Sequence, residues 1–145
     1  MSFSVDVNLL VYASDTGSEH QEAARRFLEE KARGREIFCL AWVTAMSYLR
    51  IVTHPGILAR PLAPADAFGN LRSLASMPNV RMLAEIEPFF DAYMEVTGGE
   101  PMRGRQVPDA HHAAILLLHG VKTLYTADAD FRRFTFLDVQ NPLIG

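Results

Sequence analysis

The chain has 145 residues, 49% apolar and 21% charged. This is the balance of one globular domain, and it excludes a disordered tail, a collagen-like rod and a disulfide scaffold. Fourteen Lys and Arg against seventeen Asp and Glu leave a net charge of -3, whereas a protein that grips nucleic acid by bulk charge is basic overall. Any such contact here must be local. The single cysteine, Cys39, has no internal disulfide partner and, within Ile37-Phe38-Cys39-Leu40, reads as a small buried hydrophobe. Asp6 and Asn8 interrupt the only candidate apolar leader, so no signal peptide is expected. No window approaches the roughly 20 apolar residues of a membrane span, and a cytoplasmic location is expected.

Phe3 to Asp6 reads as a short buried strand and Asn8 to Tyr12 as a helical turn, which leaves Asp6 at the strand's carboxyl end. In the helix that follows, Ser18 and Gln21 predict a capping box. Ala23, Ala24, Phe27 and Leu28 predict its apolar stripe, and Gly34 its stop. A second strand spans Ile37 to Leu40, and an amphipathic helix Trp42 to Val52, closed by His54-Pro55-Gly56. Pro64 suits the first turn of the next helix, whose apolar face holds Ala67, Phe68, Leu71, Leu74 and Ala75. A third strand, Val80 to Leu83, precedes a helix opened by Pro88 and closed by Gly98-Gly99. Glu100 to Pro108 is a polar, basic loop before a helix with a very apolar centre, Ala113 to Leu118. Lys122 to Thr126 is a fourth strand, Asp130 to Arg133 a helical turn and Leu137 to Val139 a possible fifth strand. Strands separated by helices imply parallel pairing. The expectation is an α/β fold of one domain, residues 1–145, with a central, mainly parallel sheet of four to five short strands flanked by helices.

Ligands of such sheets collect at the carboxyl ends of the strands. Asp6 and Asp128 fall there, and Asp109 follows Pro108 at a helix start, where a carboxylate taken alone reads as a cap before it reads as a ligand. Converging carboxylates repel unless a cation joins them, and hard oxygen ligands suit Mg²⁺ or Mn²⁺. Taken singly, Asp128 and Asp130 also fit turn and cap positions before Phe131.

Asp6-Val7-Asn8-Leu9-Leu10-Val11-Tyr12-Ala13 resembles the opening of PIN-domain proteins, Pro108-Asp109-Ala110-His111-His112-Ala113-Ala114 their second acidic signature, and Thr126-Ala127-Asp128-Ala129-Asp130-Phe131 their third. Leu49 to Pro55 and Asn141-Pro142-Leu143 also have counterparts there. The likeness runs in order along nearly the whole chain and is greatest to the VapC group, the toxins of type II toxin–antitoxin modules. It implies a PIN-like domain and a Mg²⁺-dependent endoribonuclease, with Mn²⁺ able to substitute, that cuts structured RNA such as tRNA. It also implies a VapB-type antitoxin partner and a homodimer. By position, Asp6, Asp109 and Asp128 would be the catalytic, metal-binding acids. Asn8 would orient Asp6 or its water, and Thr126 and Asp130 would support Asp128. Most members carry a Glu where this chain has Ser47, and residues 43 to 50 hold no acid, which favours a single metal.

Around these motifs, Arg103, Arg105, Arg132 and Arg133 offer a basic rim for RNA, since guanidinium groups pair with phosphate oxygens in a fork. The five histidines form no metal motif, so His111 and His112 read as packing or surface residues and His119 as a helix terminus. Phe27, Phe68, Phe89, Phe90 and Tyr93 read as core or subunit interface. Two alternatives follow from the same residues. One is a PIN-like module that binds RNA or protein with weak or no cleavage, motivated by Ser47. The other is a phosphatase of the haloacid dehalogenase type, against which Asn8 stands where that chemistry needs an acid.

Overall fold

A computed structural model of the chain describes residues 1–144. Five strands, β1 (Ser2–Val5), β2 (Ile37–Ala41), β3 (Val80–Leu83), β4 (Thr123–Tyr125) and β5 (Asp138–Gln140), form one sheet in the order β3-β2-β1-β4-β5. Every pairing is parallel. Six helices cover it: α1 (Val7–Ser14), α2 (Gln21–Ala32), α3 (Trp42–Val52), α4 (Pro64–Ala75), α5 (Phe89–Thr97) and α6 (Gln106–Leu118). A 3-10 turn spans Ala129–Arg133.

The period of two in a strand separates two cores. Phe38 and Leu40 of β2 face α1, α3 and α4, packing with Phe3, Val5, Leu9, Tyr48 and Leu71. Cys39 and Ala41 face the other way, toward Ala113, Ile115 and Leu116 of α6 and the buried Phe131 and Phe134. The expected fold class is therefore the observed one. Cys39, buried and free, lies in the second core. Lys31 lies 5.0–5.8 Å from the ring centroids of Phe3, Phe27 and Tyr125 and 3.2 Å from Glu36, tying α2 to the strands.

Several boundaries differ from the sequence expectation. The Ser18–Gln21 capping box does not form: α2 is entered through His20, whose N–H donates to Ser18 Oγ (3.0 Å), and Gln21 Nε2 reaches back to Ala13 O. Of the predicted stripe of α2, Ala23 is exposed, and on α4 Phe68 and Ala75 are exposed too. Helix α6 begins at Gln106, three residues before Asp109. Gln106 Oε1 accepts from the Arg103 N–H and closes the preceding turn, while Pro108 sits in the first helical turn, where its missing N–H is no loss. Asp109 is therefore not a cap; its carboxylate is free to face the sheet edge.

The chain builds β1, β2 and β3 outward on one side, then returns to place β4 and β5 on the other. The order reverses between β1 and β4, and a crevice opens beyond their carboxyl ends.

Candidate active site

Asp6 leaves β1 at that crevice. Its backbone N–H extends the pairing to Tyr125 O (2.9 Å), and its side chain caps α1, with Oδ1 accepting from Val7 N at 2.7 Å. Oδ2 accepts from the Thr126 hydroxyl at 2.8 Å and from Asn8 Nδ2 at 3.3 Å. Thr126 Oγ1 in turn accepts from Asn8 Nδ2 (3.2 Å) and from the Asp128 N–H (2.9 Å). One hydroxyl thus donates once and accepts twice, which is its full capacity. Asn8 Oδ1 takes the Ala127 N–H at 3.4 Å. The motifs at Asp6 and Asp128, 122 positions apart in the chain, are joined through a side chain with no spare hydrogen-bonding capacity.

Asp128 itself caps the 3-10 turn, Oδ1 accepting from the Asp130 N–H at 2.9 Å. The contact that Asp130 makes to Asp128 therefore comes from its backbone, and the exposed Asp130 side chain lines a neighbouring cleft instead. Thr126 holds Asp128 through the latter's backbone N–H, not its carboxylate.

Asp109 faces these acids from α6. Burial raises its carboxyl to about 6, and the charges of Asp6, Asp128 and Asp130 push in the same direction against Arg105. Burial also raises Asp6, with Asp128 adding to it, while the hydrogen bonds from Thr126 and Val7 oppose the rise. These shifts are those of carboxylates short of a positive partner.

Two hollows flank Asp109. A small one of about 90 Å³ lies between α3 and α6, bounded by Asp6, Thr44, Ser47, Asp109, His112 and Phe131. A larger cleft of about 600 Å³ is lined by Arg103, Arg105, Gln106, Asp109, Asp130 and Arg133. Arg132 lies outside that lining, contrary to its expected place in the basic rim. Neighbours on a 3-10 turn point about 120° apart, so Arg132 and Arg133 diverge. His112, read from sequence as one of two packing or surface histidines, is buried beside the acids. His111 instead bonds Glu85 at 3.0 Å, and His119 bonds the Ala84 carbonyl at 2.8 Å. The spacing Asp109-x-x-His112 is the signal that could have singled out His112, since residues three apart share a helix face.

Among the described residues no cluster of three or more His, Cys, Asp or Glu forms a ready-made metal cage. A Mg²⁺ ion does not need one, because it keeps several waters and binds through one or two carboxylates. The carboxylate oxygens of Asp6, Asp109 and Asp128, with the Asp109 carboxyl raised, fit such an ion.

A parallel α/β sheet with a carboxylate cluster at its switch point defines the class of the fold and site, and comparison gives the family. The PIN domain family model matches residues 4–137. Ribonuclease VapC48 of Mycobacterium tuberculosis is 37% identical over 145 residues, all of both chains. Among solved structures, M. tuberculosis VapC20, described as a Sarcin-Ricin loop cleaving toxin, superposes with a TM-score of 0.68 at 17% identity, covering 96% of this chain and 99% of its own. VapBC2 from Rickettsia felis, bound to a DNA fragment from its promoter, gives 0.68 at 16% identity, covering 97% and 98%. The chain belongs to the PIN-domain family, in its VapC branch.

Proposed function

We propose that the protein is a divalent-metal-dependent endoribonuclease toxin of a type II toxin–antitoxin module, acting in the cytoplasm on structured RNA such as tRNA. The observation that carries this reading is the Asp6–Thr126–Asp128 network facing an Asp109 whose carboxyl is raised to about 6. Such a site is repulsive until a cation enters it. Asp6, Asp109 and Asp128 would hold Mg²⁺, or Mn²⁺ in its place. The ion, when bound, supplies an activated water and neutralises charge developing on the phosphoryl group. Asn8 and Thr126 fix the Asp6 carboxylate and the turn that carries Asp128, so these acids need not reorganise when substrate arrives.

The arginine cleft complements this site. Arg103, Arg105 and Arg133 border Asp109 on the solvent side and suit RNA phosphates flanking the scissile one. Replacing Arg105 and Arg133 together with Ala is expected to weaken RNA binding and to flatten its salt dependence by about two ion equivalents. Filter binding across a salt series, with thermal unfolding as a folding control, measures both.

An apolar groove of about 290 Å³ runs between α1, α2, α3 and α4, lined by Leu10, Ala13, Leu28, Leu71 and Leu74, with Arg25 and Glu29 at its edge. It suits a short amphipathic segment of a VapB-type antitoxin, the class of partner implied by the VapBC2 complex of Rickettsia felis. Trp42, Met46 and Phe68, each about half exposed, border an adjoining hollow and offer a face for a homodimer.

The deciding experiment is incubation of antitoxin-free protein with a total-tRNA pool and Mg²⁺ or Mn²⁺. Discrete fragments that disappear with EDTA are expected. Folded protein that binds neither ion and cuts nothing would sink the enzyme and leave the RNA- or protein-binding module motivated by Ser47. No helix of the described residues is long and apolar enough to cross a membrane.

A further inference from the structure

His112 Nε2 is the one buried side-chain nitrogen or oxygen among the described residues left without a hydrogen-bond partner. The residue is 4% exposed and sits on the inward face of α6, between the buried Ala110 and the buried Ala113. Its ring stands edge-on to Phe131, centroids 5.9 Å apart at 86°, which holds its orientation. Buried polar atoms are almost always paired, and an exception calls for a ligand, ion or water. A leucine at this position would fill the same space without an orphaned nitrogen.

The place of the orphan is informative. His112 borders the hollow of about 90 Å³ that Asp6 and Asp109 also border. Asp109 and His112 stand three residues apart on α6, the spacing by which a carboxylate and an imidazole on one helix ligate a shared ion in helical metal sites. From the opposite wall α3 contributes Thr44 and Ser47, neutral hydroxyls in a stretch without any acid. The titratable residues bordering the hollow are therefore two carboxylates and one imidazole, not carboxylates alone.

We propose that His112 supplies a nitrogen ligand, through Nε2 with its proton on Nδ1, to the divalent ion held by Asp109 and Asp6, so that the site prefers a first-row transition ion to Mg²⁺. This rests on the metal-site reading above. Imidazole binds borderline transition ions well, whereas Mg²⁺ favours hard oxygen and its own waters. Two or three protein ligands with solvent in the remaining positions complete such a sphere, so no closed cage is required.

Metal binding to the RNA-free, full-length protein tests the assignment without reference to activity. Mn²⁺ is the probe, read by calorimetry and by pulsed electron paramagnetic resonance for coupling to a protein nitrogen. Wild type is expected to show that coupling and to bind Mn²⁺ more tightly than Mg²⁺. His112→Leu should lose the coupling and about 10- to 100-fold in Mn²⁺ affinity, with Mg²⁺ affinity little changed. His112→Gln, which keeps a polar side chain should the leucine disturb the core, is expected to lose the coupling as well. A wild-type spectrum without nitrogen coupling, or a His112→Leu protein that is only more heat-stable with the same Mn²⁺ preference, would overturn the proposal and leave a packing histidine or a trapped water. If neither ion binds wild type at all, the metal reading of the site falls first and takes this inference with it.

Discussion

Asp6→Asn is expected to reduce RNA cleavage on the order of 100- to 1000-fold, the scale seen when one electrostatic contact to a reacting centre is removed, while the protein stays folded. The side chain keeps its size but loses its charge, and its hydrogen bonds no longer match. Thr126 already accepts from Asn8 and from the Asp128 N–H and gives its only proton to Asp6 Oδ2. An amide nitrogen turned toward Thr126 would be a third donor on a saturated oxygen. Turned the other way, it would face the Val7 N–H, which now donates to Oδ1. The first orientation loses both bonds that Oδ2 accepts, from Thr126 and Asn8, and the second only the bond from Val7, so the second should prevail at a net cost of about 1 kcal/mol. Relief of repulsion at Asp109 opposes that cost, so the unfolding temperature should move little. The same substitution should bring the Asp109 carboxyl down from about 6, because the Asp6 charge is the largest contribution to its rise after burial. Carboxyl-carbon NMR titration reads that shift, and gel analysis of the RNA reads cleavage. Full activity in Asp6→Asn would remove Asp6 from the catalytic centre.

The second large effect concerns stability against pH, where the raised carboxyls of Asp109 and Asp6 act against the lowered imidazole of His112. Folded Asp109 holds its proton until about pH 6, against 3.8 as the ordinary value. Its ionisation therefore penalises the folded state fully above pH 6, and the penalty disappears as pH falls below 3.8. Allowing for solvent screening of this partly exposed group, the penalty near neutrality is on the order of 1–2 kcal/mol. His112 runs the other way. Burial, aided by the His111 charge, lowers it from 6.5 to about 4, so the unfolded chain takes up the proton first. Stability is lost as pH falls from 6.5 toward 4, by roughly 3 kcal/mol. In EDTA, wild type should lose a modest part of its stability between pH 7 and pH 5, because the His112 loss is partly offset by the two carboxyls. Asp109→Asn should be more heat-stable near pH 7 and fall more steeply on acidification. His112→Leu should instead gain stability as pH drops. Mg²⁺ should raise the wild-type midpoint near pH 7, since an ion that binds only the folded state stabilises it by mass action. Calorimetric melting of the three proteins at the two pH values decides the matter, and parallel profiles for all of them would show that neither group carries the linkage.

Much of this site was legible because its determinants are local. A strand's apolar run followed at once by Asp6 and Asn8 marks one carboxyl edge, Lys122 to Thr126 followed by Asp128 marks the matching one, and the resemblance to PIN-domain proteins added the roles of these residues. The division of labour within the network was not legible. Whether Asp130 supports Asp128 by carboxylate or backbone depends on the 3-10 turn, and the same turn separates Arg132 from Arg133. Asp109 taken alone read first as a cap because nothing in Glu100 to Pro108 announces that Gln106, reaching back to Arg103, starts the helix early. Ser18 and Gln21 have the spacing of a capping box, yet the hydroxyl takes the nearer His20 N–H and the helix starts two residues later. His112 stayed hidden for a different reason. The Asp109-x-x-His112 spacing puts the two on one helix face, but it does not show what they face until the opposite wall is known, and that wall, α3 with Ser47, is more than 60 positions away.

Finally, the lysine locked among Phe3, Phe27 and Tyr125 has a chemical corollary. The chain holds fourteen Lys and Arg but only two lysines, Lys31 and Lys122, and the cationic cleft beside Asp109 is built from arginines alone. Acylation, whether by a cellular acetyltransferase or by an amine-directed reagent, therefore has no target on the face that meets the acids. With Lys31 engaged against three rings and Glu36, Lys122 and the amino terminus remain as open amines. A dye or surface tether attached through them would leave the site's charge intact.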